Sequence, residues 1–256
     1  MSLSDSEIVF ITGASSGIGE ACAIKFAREG YNLIINGRRK DRIDQLASKL
    51  EKDYKVNVKA LVFDVRDKES VNHQISSLPE EWTAIDILIN NAGLALGLSD
   101  IHEGDTRDWE QMIDTNVKGL LYVSKAVIPK MISRGKGQII NIGSIAAKET
   151  YLKGNVYCAT KHAVESLSQA MRMELLPHNI RVSLVNPGAV NTEFSQVRFK
   201  GDKNKAENVY KGYKPLDGAD IAECVYFCTR LPDHVNINDM LIMPAAQATA
   251  TIFNKQ

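Results

Sequence analysis

The chain is predicted to fold as an α/β protein, with a doubly wound parallel sheet that is covered by helices on both faces. Short β-rich runs that are apolar on both faces alternate with longer amphipathic stretches, which is typical of a buried parallel sheet. A glycine-rich turn joins the first such run to the first helical pattern. No linker, repeat or low-complexity tract divides the 256 residues, so residues 1–256 are expected to form a single domain.

Seven strands are predicted from apolar, β-branched runs, and the helices between them from apolar residues spaced three and four apart. The strands are expected at residues 7–12, 31–36, 56–64, 85–90, 138–142, 181–185 and 240–243. The helices are expected at residues 17–29, 41–52, 67–77, 106–133, 155–176 and 218–230. Right-handed crossovers between parallel strands then give the doubly wound sheet.

The stretch 188–215 has no regular pattern, and we refer to it as the 188–215 segment. An irregular segment of this length inside a compact domain is usually functional or mobile. It is therefore expected to be a substrate lid, with a tolerated surface insertion as the alternative.

Composition excludes several classes of protein. The 31 Lys and Arg residues balance the 31 Asp and Glu residues, whereas a nucleic-acid binder needs a basic surplus. The four cysteines form no CxxC pair and no cluster with histidine, which predicts a reduced protein without a metal site. No apolar run approaches the ~18 residues of a membrane span, and the polar N-terminus shows no secretory signal. A cytoplasmic protein that binds neither nucleic acid nor membrane is expected.

The turn after the first strand has the spacing Gly13-x3-Gly17-x-Gly19. Glycines permit a tight turn and a close backbone approach to a ligand, and the helix that begins at Gly17 points its free N–H groups at that ligand. The spacing differs from Gly-x-Gly-x-x-Gly, and Glu20 stands where a P-loop needs lysine. The turn predicts a pyrophosphate site, with an ordinary strand-to-helix turn as the alternative.

The second strand ends at Gly37 and Arg38, followed by Arg39 and Lys40. A dinucleotide fold that prefers NAD often carries an acid here to bind the ribose 2′-hydroxyl. Arginine instead can grip a 2′-phosphate and stack on adenine. NADP(H) is therefore predicted as the cofactor, with a solvated basic turn as the alternative.

Tyr157 and Lys161 are four residues apart near the start of a predicted helix, so both side chains can reach one pocket. A nearby cation favours the phenolate, and such a tyrosine can exchange a proton with a carbonyl or alcohol oxygen while a hydride moves. Tyr210 and Lys214 have the same spacing. Only Tyr157 has a strand-ending serine, Ser144, thirteen residues before it, so Tyr210 is interpreted as ordinary surface.

These pieces together resemble the short-chain dehydrogenase/reductase family, a Rossmann-like fold. The resemblance covers the whole chain in order, and its motif positions are the glycine turn after Thr12, then Asp64, Asn90, Asn91, Ala92, Gly93, Asn116, Ser144, Tyr157, Lys161, Asn186, Pro187, Gly188 and Thr192. The set in this order and spacing is highly specific, whereas each motif by itself is modest.

The resemblance implies a role for each residue. Tyr157 would be the acid/base, Ser144 would hydrogen-bond the substrate oxygen, and Asn116 would hold a water that links Lys161 to solvent. Lys161 would bind the nicotinamide ribose and lower the pKa of Tyr157. The cofactor-binding set would be Gly13, Ser15, Ser16, Gly17, Ile18, Gly19, Arg38, Arg39, Asp64, Val65, Asn91, Ala92, Gly93, Tyr157, Lys161, Pro187, Gly188, Val190 and Thr192.

Motifs in the 188–215 segment and the tail resemble a subgroup, the NADP-dependent 3-hydroxy acid dehydrogenases, which act on serine, allo-threonine and related acids. A substrate carboxylate would need a cation, for which Arg198, Lys148 and Lys153 are candidates. The alternatives are a 3-oxoacyl-carrier-protein reductase, a general carbonyl reductase of the same fold, and an NADP(H) sensor or scaffold without turnover. The resemblance also implies a homotetramer.

Overall fold

The computed structural model describes residues 6–256. Residues 1–5 of the polar N-terminal segment, on which the prediction of no secretory signal rests, lie outside the described residues. The strands are β1 Ile8–Ile11, β2 Asn32–Gly37, β3 Val58–Val62, β4 Ile85–Asn90, β5 Gly137–Ile142, β6 Ile180–Pro187 and β7 Asp239–Ile242. The α-helices are α1 Gly17–Arg28, α2 Lys40–Tyr54, α3 Lys68–Ser76, α4 Thr106–Ile113, α5 Leu120–Arg134, α6 Asn155–Leu175, α7 Glu193–Arg198, α8 Lys203–Asn208 and α9 Gly218–Thr229.

All seven strands form one parallel sheet in the order β3-β2-β1-β4-β5-β6-β7. The predicted fold class is confirmed. The order reverses between β1 and β4, and ligands of open α/β sheets bind at the carboxyl ends of the strands beside such a switch point. The glycine turn follows β1 and Asn91 follows β4, so both motifs lie at this point.

Successive residues of each central strand face opposite sides of the sheet, and both sides are buried. Leu33 and Ile35 pack against α1, α2 and α9, whereas Ile34, between them, packs against the opposite layer. That layer is formed by α3, α5 and α6. A strand buried on both faces reads as a continuous apolar run, which is why the sequence predicts β2 correctly.

Residues 106–133, predicted as one helix, are helical throughout but not α-helical throughout. A π-helical segment, Asp114–Gly119, lies between α4 and α5. It contains Asn116, whose side chain hydrogen-bonds the backbone of Leu94 and the hydroxyl of Thr160. π turns of this kind often occur at functional sites. The predicted helical stretch is present, but the π turn within it could not be predicted from the sequence, because these partners are distant along the chain.

The 188–215 segment, predicted as irregular, contains α7 and α8. Each helix begins at a side-chain cap, since the Thr192 hydroxyl accepts the N–H of Phe194 and the Asp202 carboxylate accepts the N–H of Lys205. Such caps satisfy N–H groups that a helix cannot pair itself. Both helices have six residues, too short for a clear helical period in the sequence.

Candidate active site

The glycine turn is held against the end of β4 by hydrogen bonds. The Thr12 hydroxyl accepts the N–H groups of Asn91 and Ala92, each at 3.0 Å, and the Asn91 amide donates to the carbonyls of Thr12 and Gly13. Gly13 has φ of +67°, and a Cβ there would lie 2.9 Å from Cα of Ala92. Only glycine fits this cradle, so the exposed N-terminus of α1 stays open to an anion.

One cleft of about 590 Å³ crosses the carboxyl ends of the strands, a volume suited to a cofactor or small ligand. All but two of the residues in the predicted site line this cleft. The exceptions are Gly19 and Asn116, which lie directly behind it. A Cβ on Gly19 would lie 2.5 Å from the Gly13 carbonyl oxygen, so Gly19 permits the turn itself to close.

The reacting end of the cleft is formed by Ser144, Tyr157 and Lys161, all of them buried. The Ser144 N–H is fixed by Oδ1 of Asn186 at 2.9 Å. The Lys161 ammonium donates to the Ile142 carbonyl at 2.9 Å and lies 6.0 Å from the centroid of the Tyr157 ring. Ser144, which follows β5, thus meets Tyr157 and Lys161 of α6 in one pocket.

Gly93 separates Asn116 from Lys161. A Cβ at Gly93 would lie 3.3 Å from Oδ1 of Asn116 and 3.6 Å from Nζ of Lys161. Asn116 is fully engaged with Leu94 and Thr160. In this structure Asn116 therefore braces the loop after β4 against α6, and its expected role in holding a water stays a prediction.

Burial controls the ionisation of the reacting pair. It raises the pKa of Tyr157, and the neighbouring phenol of Tyr151 adds to this, while the hydrogen bond with Ser144 and the positive charge of Arg198 lower it. The raised pKa is opposite in direction to the lowered value that the sequence led us to expect. Burial also lowers the pKa of Lys161 to about 8, because the interior disfavours the charged form.

Because the pKa of Lys161 is lowered in the folded protein, the free energy of unfolding should depend on pH. Below pH 8 lysine is protonated in both states, whereas between 8 and 10.5 the unfolded chain binds more protons. Stability relative to Lys161→Met should therefore rise with pH across this window, by on the order of 3 kcal/mol. Urea denaturation of both proteins across that range measures the difference, and a flat or falling difference would contradict the buried lysine.

At the end of the cleft beside β2 and β3, Asp64 is held by arginines. Arg66 forms a two-pronged pair with it, at 3.1 and 2.7 Å, and Arg38 lies 3.7 Å away and is largely exposed. Partial burial raises the pKa of Asp64, but these hydrogen bonds and charges outweigh it and lower the pKa. Arg39 instead crosses the glycine turn and bonds Ser15 and Ser16. The two arginines after β2 thus point to different places, Arg38 toward Asp64 and Arg39 toward the glycine turn.

Near Tyr157, Arg198 reaches into the cleft from α7. Its guanidinium lies 5.5 Å from the ring centroids of both Tyr151 and Tyr157. Nε donates to the Gly97 carbonyl and Nη1 donates to the Tyr151 hydroxyl. Nη2 is buried and has no hydrogen-bond partner among the described residues. A buried charged donor without a partner is costly, so Nη2 is suited to receive an anion.

Of the three candidate cations for a substrate carboxylate, two pair with acids outside the cleft. Lys148 pairs with Glu165 and Asp239, and Lys153 lies 3.4 Å from Asp100. Neither lysine lines the cleft, whereas Arg198 does.

The interpretation of Tyr210 as ordinary surface is wrong. Its hydroxyl donates to the Val190 carbonyl and hydrogen-bonds Ser195 Oγ, both at 2.7 Å. Tyr210 is half-buried and lines the cleft, tying together two parts of the 188–215 segment. Sequence reasoning also missed Tyr151 and Glu193, because an isolated tyrosine or glutamate carries no spacing signal.

Within residues 6–256, no group of histidine, cysteine or acidic side chains could hold a metal ion. Over the same residues, no helix combines the length and apolarity that a membrane crossing requires.

Comparison with known proteins gives a consistent answer. Residues 7–203 match the family model described as short chain dehydrogenase. The chain is 45% identical to the NADP-dependent 3-hydroxy acid dehydrogenase YdfG of Escherichia coli K12 over 95% of this chain and 97% of that protein. It is also 45% identical to the NADP-dependent 3-hydroxy acid dehydrogenase of Schizosaccharomyces pombe, over the full length of both.

Solved structures agree with the sequence comparison. A closed form of serine dehydrogenase complexed with NADP⁺ superimposes with a TM-score of 0.91 and 44% identity, covering 97% of this chain and 99% of that one. Serine dehydrogenase from Escherichia coli gives a TM-score of 0.82 and 40% identity, covering 94% and 99%. With this fold, this site and these relatives, the chain belongs to the short-chain dehydrogenase family.

Proposed function

We propose that this chain is an NADP(H)-dependent oxidoreductase that transfers a hydride between the cofactor and a small, serine-like 3-hydroxy acid or its 3-oxo counterpart. The observation that carries the substrate class is Arg198, whose guanidinium lies in the cleft beside Tyr157 and whose buried Nη2 has no hydrogen-bond partner within residues 6–256. A carboxylate there would satisfy this donor in the charge-assisted geometry that guanidinium groups favour. Relatives named 3-hydroxy acid dehydrogenases support the same class.

The cleft fits the cofactor. The cradle at Gly13 leaves room for a pyrophosphate against the N-terminus of α1, and Arg38 and Arg39 would hold a 2′-phosphate at the end of β2. Asp64 and Val65 would flank the adenine, while Pro187, Gly188, Val190 and Thr192 would line the nicotinamide half. When bound, the nicotinamide supplies a ring carbon that accepts or donates a hydride.

Tyr157 exchanges the proton in this scheme. In oxidation the carbinol C–H bond breaks with its electron pair leaving as hydride, and the hydroxyl proton passes to the Tyr157 oxygen. In reduction the phenol returns a proton to the carbonyl oxygen. Because burial raises the pKa of Tyr157, the protonated phenol is favoured in the free enzyme, and it is the form that reduction needs.

Ser144 and Lys161 support that step. Ser144, fixed by Asn186, would hydrogen-bond the reacting oxygen and keep it within reach of Tyr157. The cation of Lys161 would bind the nicotinamide ribose and favour the phenolate that oxidation needs. To bind the ribose, the Lys161 ammonium would have to give up its hydrogen bond to the Ile142 carbonyl or donate to both acceptors at once.

The 188–215 segment is proposed as the substrate lid. It carries Arg198 at the end of α7, and the Tyr210 hydroxyl ties α7 to the loop after β6. A carboxylate bound by Arg198 would thereby order the segment over the site, which excludes water during the reaction.

A substrate comparison tests the proposed function. NADP⁺ reduction is followed at 340 nm with serine, allo-threonine, 3-hydroxybutyrate, 3-hydroxypropionate and simple alcohols. Faster turnover of the acids supports the proposal. A 3-oxoacyl-carrier-protein reductase would instead prefer acyl carrier substrates, for which it needs a basic docking patch. A sensor would bind NADPH without any absorbance change, and either result would contradict the proposal.

We further propose that the protein is a cytoplasmic homotetramer in which α6 packs across subunits. One face of α6 carries small residues, of which Ala159 and Ser166 are exposed and Ala163 and Ala170 are half-buried. Small side chains allow close helix approach, and their exposure leaves this face available. Light scattering should give four times the 28.3 kDa chain mass, and a monomer would contradict the assembly.

A further inference from the structure

We propose that Glu193 is a specificity-determining residue that competes with the 2′-phosphate of the cofactor for Arg39. Glu193 is the first residue of α7, directly after Thr192. Its Oε2 lies 2.8 Å from Nη1 of Arg39 and its Oε1 lies 2.5 Å from Nη1 of Arg42. The inference rests on the proposed function, because it concerns binding of NADP(H).

Arg39 is shared between the glycine turn and α7. Its Nη2 donates to Ser16 Oγ at 2.8 Å and to Ser15 Oγ at 3.0 Å, while its Nη1 points the other way to Glu193. One guanidinium therefore links the phosphate-binding turn to the 188–215 segment. Any anion that recruits Arg39 at this end of the cleft must share it with the Glu193 carboxylate.

Glu193 is charged at neutral pH. Partial burial raises its pKa, but hydrogen bonds from Arg42 and Arg39 and their positive charges outweigh burial and lower the pKa. The other acid at this end of the cleft, Asp64, is already paired with Arg66. Among the described acids, Glu193 is thus the one that directly occupies Arg39.

The Glu193 carboxylate should weaken the binding of NADP(H) relative to that of NAD(H). A 2′-phosphate carries two negative charges near Arg38 and Arg39, and the Glu193 carboxylate repels it and withholds part of Arg39 from it. NAD(H) lacks this group and leaves the Glu193 pair intact. Replacing Glu193 by glutamine keeps the shape and removes the charge, so NADP⁺ should bind more tightly relative to NAD⁺, by about 3- to 10-fold.

The test is calorimetric titration of NADP⁺ and NAD⁺ without substrate, so that binding is measured apart from turnover. Four proteins are compared: the wild type, Glu193→Gln, Glu207→Gln and Arg38→Ala. Glu207 is the matched control, because it is an exposed acid of α8 outside the cleft. Arg38→Ala is the reference for the loss of a phosphate-binding cation, and it should lower the preference for NADP⁺.

The expected result is a ratio of Kd for NAD⁺ to Kd for NADP⁺ that rises in Glu193→Gln and is unchanged in Glu207→Gln. An unchanged or lower ratio in Glu193→Gln would overturn the inference, provided that the wild type prefers NADP⁺ and Arg38→Ala weakens that preference. A wild type without any preference for NADP⁺ would instead overturn the cofactor assignment itself. The two failures are therefore distinguishable.

Discussion

Replacing Tyr157 by phenylalanine is expected to lower kcat by about 10²- to 10⁴-fold, the usual contribution of a positioned acid/base. The substitution removes only the hydroxyl. The ring would keep its packing against Phe194, at 5.6 Å between centroids, and its place beside Arg198. The chain would therefore fold normally, and the NADP⁺ affinity measured by calorimetry should change little.

Tyr54→Phe is the matched control for this experiment. Tyr54 is a half-buried tyrosine at the end of α2, packed against the core and outside the cleft. It should retain wild-type turnover. If Tyr157→Phe also retained turnover within about threefold, the Tyr157 oxygen would not be the proton carrier. A loss of cofactor binding in parallel with kcat would point to a structural role instead.

Replacing Arg198 by methionine is expected to reduce kcat/KM for 3-hydroxy acids about 10- to 150-fold. This range corresponds to the roughly 1.5–3 kcal/mol of a hydrogen bond to a charged group. Methionine keeps the length and apolar stem of the side chain but offers no donor. Turnover of neutral alcohols should be unaffected, because they present no carboxylate to the lost Nη2.

Lys200→Met is the control for a general charge effect. Lys200 lies two residues after Arg198, is mostly exposed and pairs with Asp108 at 2.8 Å. Removing it changes the net charge equally but leaves the cleft cation in place, so acid turnover should persist. An equal loss for acids and neutral alcohols in Arg198→Met would contradict carboxylate recognition and favour a role in shaping α7.

The strands were largely predictable because their signals are local. In β2 each residue is buried, so its apolar run needs no knowledge of its neighbours. The same holds for the glycine turn, where chain connectivity places Gly13 between β1 and α1. The positions of Tyr157 and Lys161 also follow from one helix and its period.

The partners of those residues were not predictable, because they depend on packing between distant elements. The π-helical segment around Asn116 exists because Leu94 and Thr160 supply its hydrogen bonds. The burial that raises the pKa of Tyr157 comes from packing against distant residues, among them Leu94, Met112 and Phe194. The contact of Glu193 with Arg39 joins residues 154 positions apart, and no motif marks it.

Hydride transfer at this site is tested most directly by following the hydrogen on the reacting carbon. Serine carrying deuterium on its hydroxymethyl carbon is incubated with the enzyme and NADP⁺, and the reduced cofactor is analysed by mass spectrometry. Deuterium is expected to appear in NADPH with the wild-type enzyme, and label transfer should fall sharply in Tyr157→Phe. Unlabelled NADPH, or no reduced cofactor with serine or the other 3-hydroxy acids, would contradict hydride transfer at this site.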